Sequence, residues 1–108
     1  MRLLLDECVP KRLRLHFPGH DARTVRQMGW SGKRNGELLG LMLANGFEVF
    51  VTVDRNMPFQ QNIAASGVAV LVLVGTSNRV ADLLPVIPAA QTALTALKPG
   101  DVVEVSAP

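Results

Sequence analysis

Short apolar runs alternate with segments of helical periodicity along the whole chain. Residues 68–74 form an uninterrupted run of Val, Ala and Leu, the composition of a strand that is buried on both faces. Residues 2–6 and 48–54 are also largely apolar, and each of these runs ends on an aspartate. Weaker patterns at residues 21–25 and 102–105 predict a short second strand and a closing strand.

Four intervening segments have the pattern of helices. Asn35 is predicted to cap the second of them and Asn56 the third, because Asn side chains accept hydrogen bonds from the free N–H groups of a helix start. Pro85 and Pro88 are expected to kink the fourth helix or to delay its start. Helices are therefore predicted over residues 10–17, 35–46, 56–66 and 80–97.

The order of these elements predicts the fold class. Strands that alternate with helices form parallel sheets, and helices cover both faces of such sheets. A chain of 108 residues is long enough for one domain and too short for two. We expect a single domain over residues 1–108, with a three-layer α/β/α fold and a mostly parallel sheet of four or five strands.

Polar residues follow three of the predicted strands. In open parallel sheets, binding sites lie beyond the carboxyl ends of the strands. Asp6 and Asp54 are expected at that edge, and central positions for both strands would place them side by side. The other polar residues just past these strand ends are Glu7, Arg55, Asn56, Thr76, Ser77 and Asn78.

A bound cation would account for acidic side chains at this edge. Carboxylates held together without matching bases repel one another, and Glu37, in the first turn of a helix, is a third candidate. Hard oxygen ligands of this kind suit Mg²⁺ or Mn²⁺. Thr52 points to the same side of its strand as Asp54 and is expected to orient that carboxylate. Taken singly, each acid also has a structural explanation, in turn formation or in the helix dipole.

The charges are unevenly distributed along the chain. The net charge is +2, but residues 1–34 hold eight Lys and Arg against three acids, whereas residues 35–108 hold three against six. A basic half suits an anionic partner such as nucleic acid. A solvated surface with scattered arginines explains the same composition, so the charge pattern alone does not establish a nucleic-acid partner.

Other features limit the classes of function. No apolar run approaches the ~20 residues that a membrane-spanning helix needs, so no membrane contact is expected. Cys8 is the only cysteine, which excludes an internal disulfide and a thiolate zinc cluster, and it is interpreted as a small buried residue. The N-terminus lacks the pattern of a signal peptide. A cytoplasmic protein is expected.

Several motifs resemble the small bacterial PIN-like proteins, relatives of the PIN-domain nucleases. They are LLLDECVPKRL, GHDARTVRQMGW, NGELL, VFVTVDRNMPFQQN and VAVLVLV, in this order and over nearly the whole chain. The resemblance implies a Rossmann-like parallel sheet with an acidic cluster that binds Mg²⁺ or Mn²⁺. It also implies a ribonuclease that hydrolyses RNA phosphodiesters, often as the toxin of a toxin–antitoxin pair. The implied partners are an RNA substrate and an antitoxin protein, and a homodimer stays open.

The resemblance also implies roles for individual residues. Asp6 matches the first catalytic, metal-binding acid of the family, Glu37 the second and Asp54 the third. The chain departs from the family at the fourth acid, because Asn56 and Asn35 stand where relatives often have an acid. This departure leaves the binding of a second metal ion open. The nearest substitutes are Ser77, Asn78 and Asp82.

The implied chemistry is metal-assisted hydrolysis, in which a cation polarises the scissile phosphate and activates a water molecule. Arg55 is interpreted as offsetting charge on that phosphate. The other supporting residues are Glu7, Thr52, Asn56, Ser77 and Asn78. Binding of the RNA backbone is predicted for the basic residues Lys11, Arg12, Arg14, Arg23, Arg26, Lys33 and Arg34.

Two other functions stay open. A phosphoacceptor receiver domain would use the acids after strands one and three together with Thr76 and Lys98. Lys98 precedes the last strand, however, and is therefore expected at the wrong edge of the sheet. The second alternative is a PIN-like protein that binds its partner without cleaving it, which the lack of a clear fourth acid favours.

Overall fold

The chain folds around one five-stranded sheet. A computed structural model describes all residues, 1–108. Every pair of neighbouring strands is parallel, and the strand order is β2-β1-β3-β4-β5. The α/β class and the parallel sheet predicted from the sequence are therefore confirmed. The strands are β1 (Arg2–Leu5), β2 (Asp21–Thr24), β3 (Val49–Thr52), β4 (Ala69–Val74) and β5 (Val102–Ser106).

Short helices make the connections between the strands. Three of them are 3-10 helices, at Lys11–His16, Ile63–Ala65 and Leu84–Val86. No helix combines the length and the apolar character that crossing a membrane requires. The α-helices are α1 (Asn35–Ala44), α2 (Met57–Gln60), α3 (Val80–Leu83) and α4 (Ile87–Leu94).

The helical segments are shorter and more broken than the periodicity predicts. The predicted helix over residues 10–17 is a 3-10 helix, and the one over 56–66 consists of α2 and a separate 3-10 turn. The segment 80–97 is divided by its prolines, as expected. Pro85 lies in the first turn of the 3-10 helix and Pro88 in the first turn of α4, where the missing N–H group needs no partner.

The caps of α1 and α2 differ from the prediction. Arg34, not Asn35, occupies the N-cap position of α1, and no side chain caps this helix by a hydrogen bond. Asn56 does occupy the N-cap position of α2, but its side chain makes no capping hydrogen bond. Instead the Asp54 carboxylate accepts a 2.9 Å hydrogen bond from the Asn56 N–H group. The Asp54 side chain therefore forms the turn that precedes α2.

The sheet separates the hydrophobic core into two layers, because successive strand residues point to opposite faces. Leu3, Leu5 and Val51 pack on one face with the 3-10 helix after β1 and with α3 and α4. Leu4 and Phe50 pack on the other face with α1 and α2. Every residue of β3 is buried. The continuous apolar runs of the sequence thus correspond to central strands covered on both sides, as in a three-layer Rossmann-like fold.

The connections leave the two central strands in different directions. After β1 the chain crosses the face of α3 and α4, and after β3 it crosses the face of α1 and α2. The connection from β4 to β5 crosses the same face of the sheet as the connection from β1 to β2. The two connections run in opposite directions along the strand order, however, because β2 and β5 lie at opposite ends of the sheet. These two connections therefore have opposite hands. The divergence after β1 and β3 opens a crevice between their carboxyl ends.

Candidate functional site

Asp6 and Asp54 follow the carboxyl ends of the adjacent strands β1 and β3. The Asp6 N–H group donates a 2.9 Å hydrogen bond to the Val51 carbonyl, so the parallel pairing extends to Asp6 itself. Both aspartates are partly buried. The two acids thus occupy the edge of the sheet where the connections diverge, which is the usual location of ligand sites in such sheets.

Thr52 connects the two aspartates. It is 0% exposed and is the only buried polar residue of the chain. Its hydroxyl donates a 2.7 Å hydrogen bond to Asp6 Oδ2 and accepts a 3.0 Å hydrogen bond from the Asp54 N–H group. The sequence predicted that Thr52 orients the Asp54 carboxylate. In the structure, Thr52 orients the carboxylate of Asp6 and the backbone of Asp54.

The Asp54 side chain takes part in a turn. Its Oδ1 atom accepts the hydrogen bond from the Asn56 N–H group, and its carbonyl accepts a 3.3 Å hydrogen bond from the Met57 N–H group. This is the arrangement in which Asp side chains bond their own backbone two residues on. Oδ2 accepts no hydrogen bond from the protein. One oxygen of Asp54 therefore builds the turn and the other is available for a ligand.

Cys8 is a contact of Asp6 that the sequence did not indicate. The Cys8 thiol lies 3.3 Å from Asp6 Oδ2 and 3.6 Å from Thr52 Oγ1. Burial raises the pKa of the Cys8 thiol, and the charge of Asp6 also raises it. A protonated thiol is a donor, so Cys8 and Thr52 both donate to one oxygen of Asp6. The other oxygen, Oδ1, accepts a 2.8 Å hydrogen bond from the Glu7 N–H group.

A cleft of about 640 Å³ opens beside Asp6. Glu7 lines the cleft with Asp6, and Lys11 and Arg26 bring two positive charges to the same cleft. Asp54 is not among its lining residues. Acidic and basic side chains thus face one cavity, which suits a phosphate group together with a cation. The remaining lining residues are Cys8, Val9, Pro10, Thr24, Val25, Ser31 and Asn78.

The predicted RNA-binding residues divide into two groups. Arg23 is engaged elsewhere, since its Nε atom donates a 2.7 Å hydrogen bond to Asp21 Oδ1 at the start of β2. The Arg23 guanidinium holds the pKa of the Asp21 carboxyl below its usual value, and Arg2 adds to this effect. The other six basic residues are exposed and form no ion pair: Lys11, Arg12, Arg14, Arg26, Lys33 and Arg34.

Glu37 does not join the two aspartates in the structure. It is exposed in the first turn of α1 and does not line the cleft. No group of three His, Cys, Asp or Glu side chains is arranged to hold a metal ion. In their donor chemistry, Asp6 and Asp54 fit Mg²⁺ or Mn²⁺, because Mg²⁺ keeps several waters and binds through one or two carboxylates plus substrate phosphates. They fit a hydrated ion of this kind and not a closed cage of three protein ligands.

The remaining residues singled out at the strand ends stabilise the loops around the cleft. Glu7 Oε1 accepts a 3.3 Å hydrogen bond from the Gly32 N–H group, which joins the end of β1 to the Gly-rich loop before α1. Ser77 donates a short hydrogen bond to the Asp82 carboxylate. Asn78 donates a 3.4 Å hydrogen bond to the Cys8 carbonyl. Asn78 therefore connects the loop after β4 to the loop that carries Asp6.

Arg55 lies in a second cleft, of about 350 Å³, and not in the cleft beside Asp6. Its guanidinium contacts both carboxylate oxygens of Glu104 on β5, at 3.2 and 3.4 Å. Glu104 carried no signal in the sequence, because the pairing joins residues 49 positions apart. The structure thus places Arg55 beside Glu104 and outside the cleft that contains Asp6.

Lys98 lies in the turn before β5, at the amino edge of the sheet. It shares a cleft there with Met1 and Glu48, which flank the amino ends of β1 and β3. A receiver domain needs its lysine beside the phosphoacceptor aspartate. Since Asp54 lies at the opposite edge, the geometry does not favour a receiver-like function.

The fold and the site thus define a three-layer α/β protein with an acidic pair and a partly basic cleft at the carboxyl edge of its sheet. Comparisons of the chain with protein-family models, with curated proteins and with solved structures find no match.

Proposed function

We propose that the carboxyl edge of the sheet binds RNA and hydrolyses its phosphodiester bonds, as in the PIN-like nucleases that the sequence resembles. The observation that carries this proposal is the Thr52 hydroxyl, which links the carboxylate of Asp6 to the backbone of Asp54 between two diverging strands. A buried polar group is costly to keep unless it has partners. Its position at this edge supports a role in holding an acidic pair.

The charges around the cleft support an anionic substrate. Lys11 and Arg26 line the cleft with Asp6, and neither is neutralised by an ion pair. Arg12, Arg14, Lys33 and Arg34 lie on the adjoining segments of the chain and are exposed. Such residues bind phosphates irrespective of base sequence, and the affinity falls with salt. In this proposal they position the RNA backbone, while Asp6 and Glu7 face the reacting group.

The proposed cofactor is Mg²⁺ or Mn²⁺, held through Asp6 and Asp54, while Glu37, which matches the second acid of the family pattern, lies outside this pair in the structure. When bound, such an ion polarises a phosphate and lowers the pKa of a coordinated water. The contribution of the protein's own residues is to orient the Asp6 carboxylate. Thr52 and Cys8 fix Oδ2 of Asp6 by hydrogen bonds, and the Glu7 N–H group engages Oδ1. Preorganised groups of this kind contribute to catalysis because they need no rearrangement during the reaction.

The proposal includes the setting that the resemblance implies. The chain would act in the cytoplasm as the toxin of a toxin–antitoxin pair, and an antitoxin protein would block the carboxyl edge. A homodimer is compatible with this arrangement. Co-purification of the chain with the product of a neighbouring gene, followed by loss of RNA cleavage in the complex, is the result expected for such a pair.

Cleavage of RNA in the presence of Mn²⁺ tests the proposed activity. We expect the wild-type protein to cleave single-stranded RNA and Asp6→Asn to lose that cleavage. Glu48→Gln is the matched control, because Glu48 is an exposed acid at the amino edge and should be dispensable. Equal residual cleavage in the wild type and in Asp6→Asn would trace the activity to a contaminant and refute the proposal.

A second candidate function is RNA binding without cleavage. The use of Asp54 Oδ1 in the turn and the exposed position of Glu37 favour it, because both weaken the case for a complete set of ligands. Calorimetric titration with Mn²⁺ separates the two functions. A protein that binds RNA and shows no heat of Mn²⁺ binding at millimolar metal in calorimetry is a binding protein, whereas the nuclease binds both.

A further inference from the structure

Asn78 lies where two clefts meet at the carboxyl edge. It lines both the cleft beside Asp6 and the cleft that contains Arg55. The first cleft is formed by residues that follow β1 and β2, and the second by residues at the ends of β3 and β4. Together the clefts extend past four neighbouring strands, which at ~4.8 Å between strands cover about 15 Å. An extended polymer fits this arrangement.

The lining of the second cleft differs from that of the first. Val53 and Val74 are partly exposed and provide apolar surface, and Arg55, Ser77 and Asn78 provide polar groups. No acidic side chain lines the second cleft, whereas Asp6 and Glu7 line the first. Apolar surface beside a guanidinium suits a sugar or a base together with a phosphate, which Arg binds through two parallel hydrogen bonds.

The guanidinium of Arg55 is held by a carboxylate that a phosphate can replace. Arg55 and Glu104 are both exposed, so their ion pair is weak and screened by salt. A phosphate offers the guanidinium the same two-oxygen geometry as the Glu104 carboxylate. Glu104 thus occupies the position at Arg55 that an incoming phosphate would take.

We propose that the second cleft is a subsite for the nucleotide next to the scissile one, and that Glu104 competes with the phosphate of this nucleotide for Arg55. The inference rests on the proposed function and adds the path of the RNA strand, from the Asp6 cleft past Asn78 to Arg55. It also assigns Arg55 to the phosphate next to the scissile one, and not to the scissile phosphate itself. The pair Arg55–Glu104 then limits the affinity for RNA in the free protein.

Opposite effects of two substitutions test this subsite. The measurement is the binding of a fluorescein-labelled oligouridine hexanucleotide by fluorescence anisotropy, in EDTA so that no cleavage occurs. We expect Arg55→Ala to weaken binding about three- to tenfold and to flatten the salt dependence, because one phosphate contact is lost. Glu104→Gln should strengthen binding, because it releases Arg55. Lys98→Ala and Glu48→Gln, at the amino edge, are the matched controls and should not change the affinity.

The outcomes separate the subsite from the proposed function. Weakening in Arg55→Ala together with strengthening in Glu104→Gln supports the subsite. Weakening in both variants would mean that the ion pair only stabilises the local structure, and unchanged affinity in both would remove Arg55 from the RNA path. Either result overturns the subsite while leaving RNA cleavage at Asp6 intact. No binding of the hexanucleotide by the wild type would also overturn the subsite, and the cleavage assay with Mn²⁺ tests the proposed function separately. Arg55→Gln serves as a second variant if Arg55→Ala lowers the melting temperature.

Discussion

The Thr52 hydroxyl donates a 2.7 Å hydrogen bond to Asp6 Oδ2 across the boundary between two parallel strands. Because Thr52 is fully buried, this bond is shielded from water and holds the carboxylate in one orientation. The same hydroxyl accepts a hydrogen bond from the Asp54 N–H group. One buried threonine therefore sets the position of both acids at the carboxyl edge.

Thr52→Val should lower both stability and RNA cleavage. The substitution keeps the shape of the side chain, but it removes the donor to Asp6 and leaves the Asp54 N–H group without its partner. We expect the free energy of unfolding to fall by about 1–3 kcal/mol, the cost of unpaired buried polar groups. Denaturation in urea measures the loss, and the cleavage assay shows whether the Asp6 orientation matters for activity.

Two further variants show whether the hydroxyl itself is responsible. Thr52→Ser keeps the hydroxyl and should retain most of the activity. Thr95→Val removes an exposed hydroxyl that bonds only the Thr92 carbonyl, and it should change the unfolding free energy by less than about 0.5 kcal/mol. Full activity and wild-type stability in Thr52→Val would contradict the role assigned to this residue.

Arg26→Gln should weaken RNA binding, and Arg23→Gln should not. Arg26 lines the cleft beside Asp6 without an ion pair, whereas Arg23 is bound to Asp21 at the start of β2. Loss of one phosphate contact should lower the affinity about three- to tenfold at moderate salt. Anisotropy titrations of both variants at two salt concentrations provide the comparison. A larger loss in Arg23→Gln than in Arg26→Gln would place the RNA along β2 instead of in the cleft.

The sequence predicted the sheet better than the site, for a physical reason. The runs that contain β3 and β4 must be buried on both faces, and burial leaves a continuous apolar pattern that can be read locally. The partners of Asp6 depend on the register between β1 and β3, which no local pattern encodes. The sequence therefore predicts a contact of Thr52 with Asp54, two residues away, whereas the Thr52 hydroxyl donates its hydrogen bond to an aspartate 46 residues away.

The helix caps were also harder to predict from local sequence than the strands. Asn35 and Asn56 both precede apolar segments, and each has the residue type of a cap, yet neither side chain caps a helix. Before α2, the Asp54 carboxylate accepts a hydrogen bond from the Asn56 N–H group and forms a turn, without capping the helix. The break between α3 and α4 was predictable, because an interior proline lacks the N–H donor and its ring clashes with the preceding turn.

Cys8 should react slowly with alkylating reagents in the folded protein. Burial and the neighbouring Asp6 raise the pKa of the thiol, so less of the reactive thiolate is present at neutral pH. The rate of reaction with iodoacetamide should lie below that of free cysteine and should rise to the free rate in guanidinium. Asp6→Asn should speed the reaction in the folded protein. A folded-state rate at or above that of free cysteine would contradict this environment for Cys8.

The ion pair at the start of β2 should give a measurable pH dependence. Arg23 lowers the pKa of the Asp21 carboxyl in the folded protein, so the contribution of Asp21 to stability is present above its unfolded pKa. That contribution is lost as the pH falls through the lower, folded pKa. Carboxyl resonances in an NMR titration should show the Asp21 pKa rising toward its usual value in Arg23→Gln. An unchanged Asp21 pKa in that variant would show that the pair is not formed in solution.

Substitution of Gly100 should destabilise the protein, although the residue lies in a turn far from the site. Gly100 has φ +89°, a conformation that L-residues rarely adopt, and a Cβ atom there would lie 3.0 Å from the Ala64 carbonyl oxygen. We expect Gly100→Ala to lower the free energy of unfolding by about 1–3 kcal/mol, from backbone strain and from this contact. Gly40→Ala is the matched control, because Gly40 lies inside α1 with open space around it. That change should stabilise the protein by about 0.5–1 kcal/mol, since alanine favours the helix. If Gly100→Ala leaves the urea midpoint unchanged or raises it, the turn before β5 does not have the geometry described.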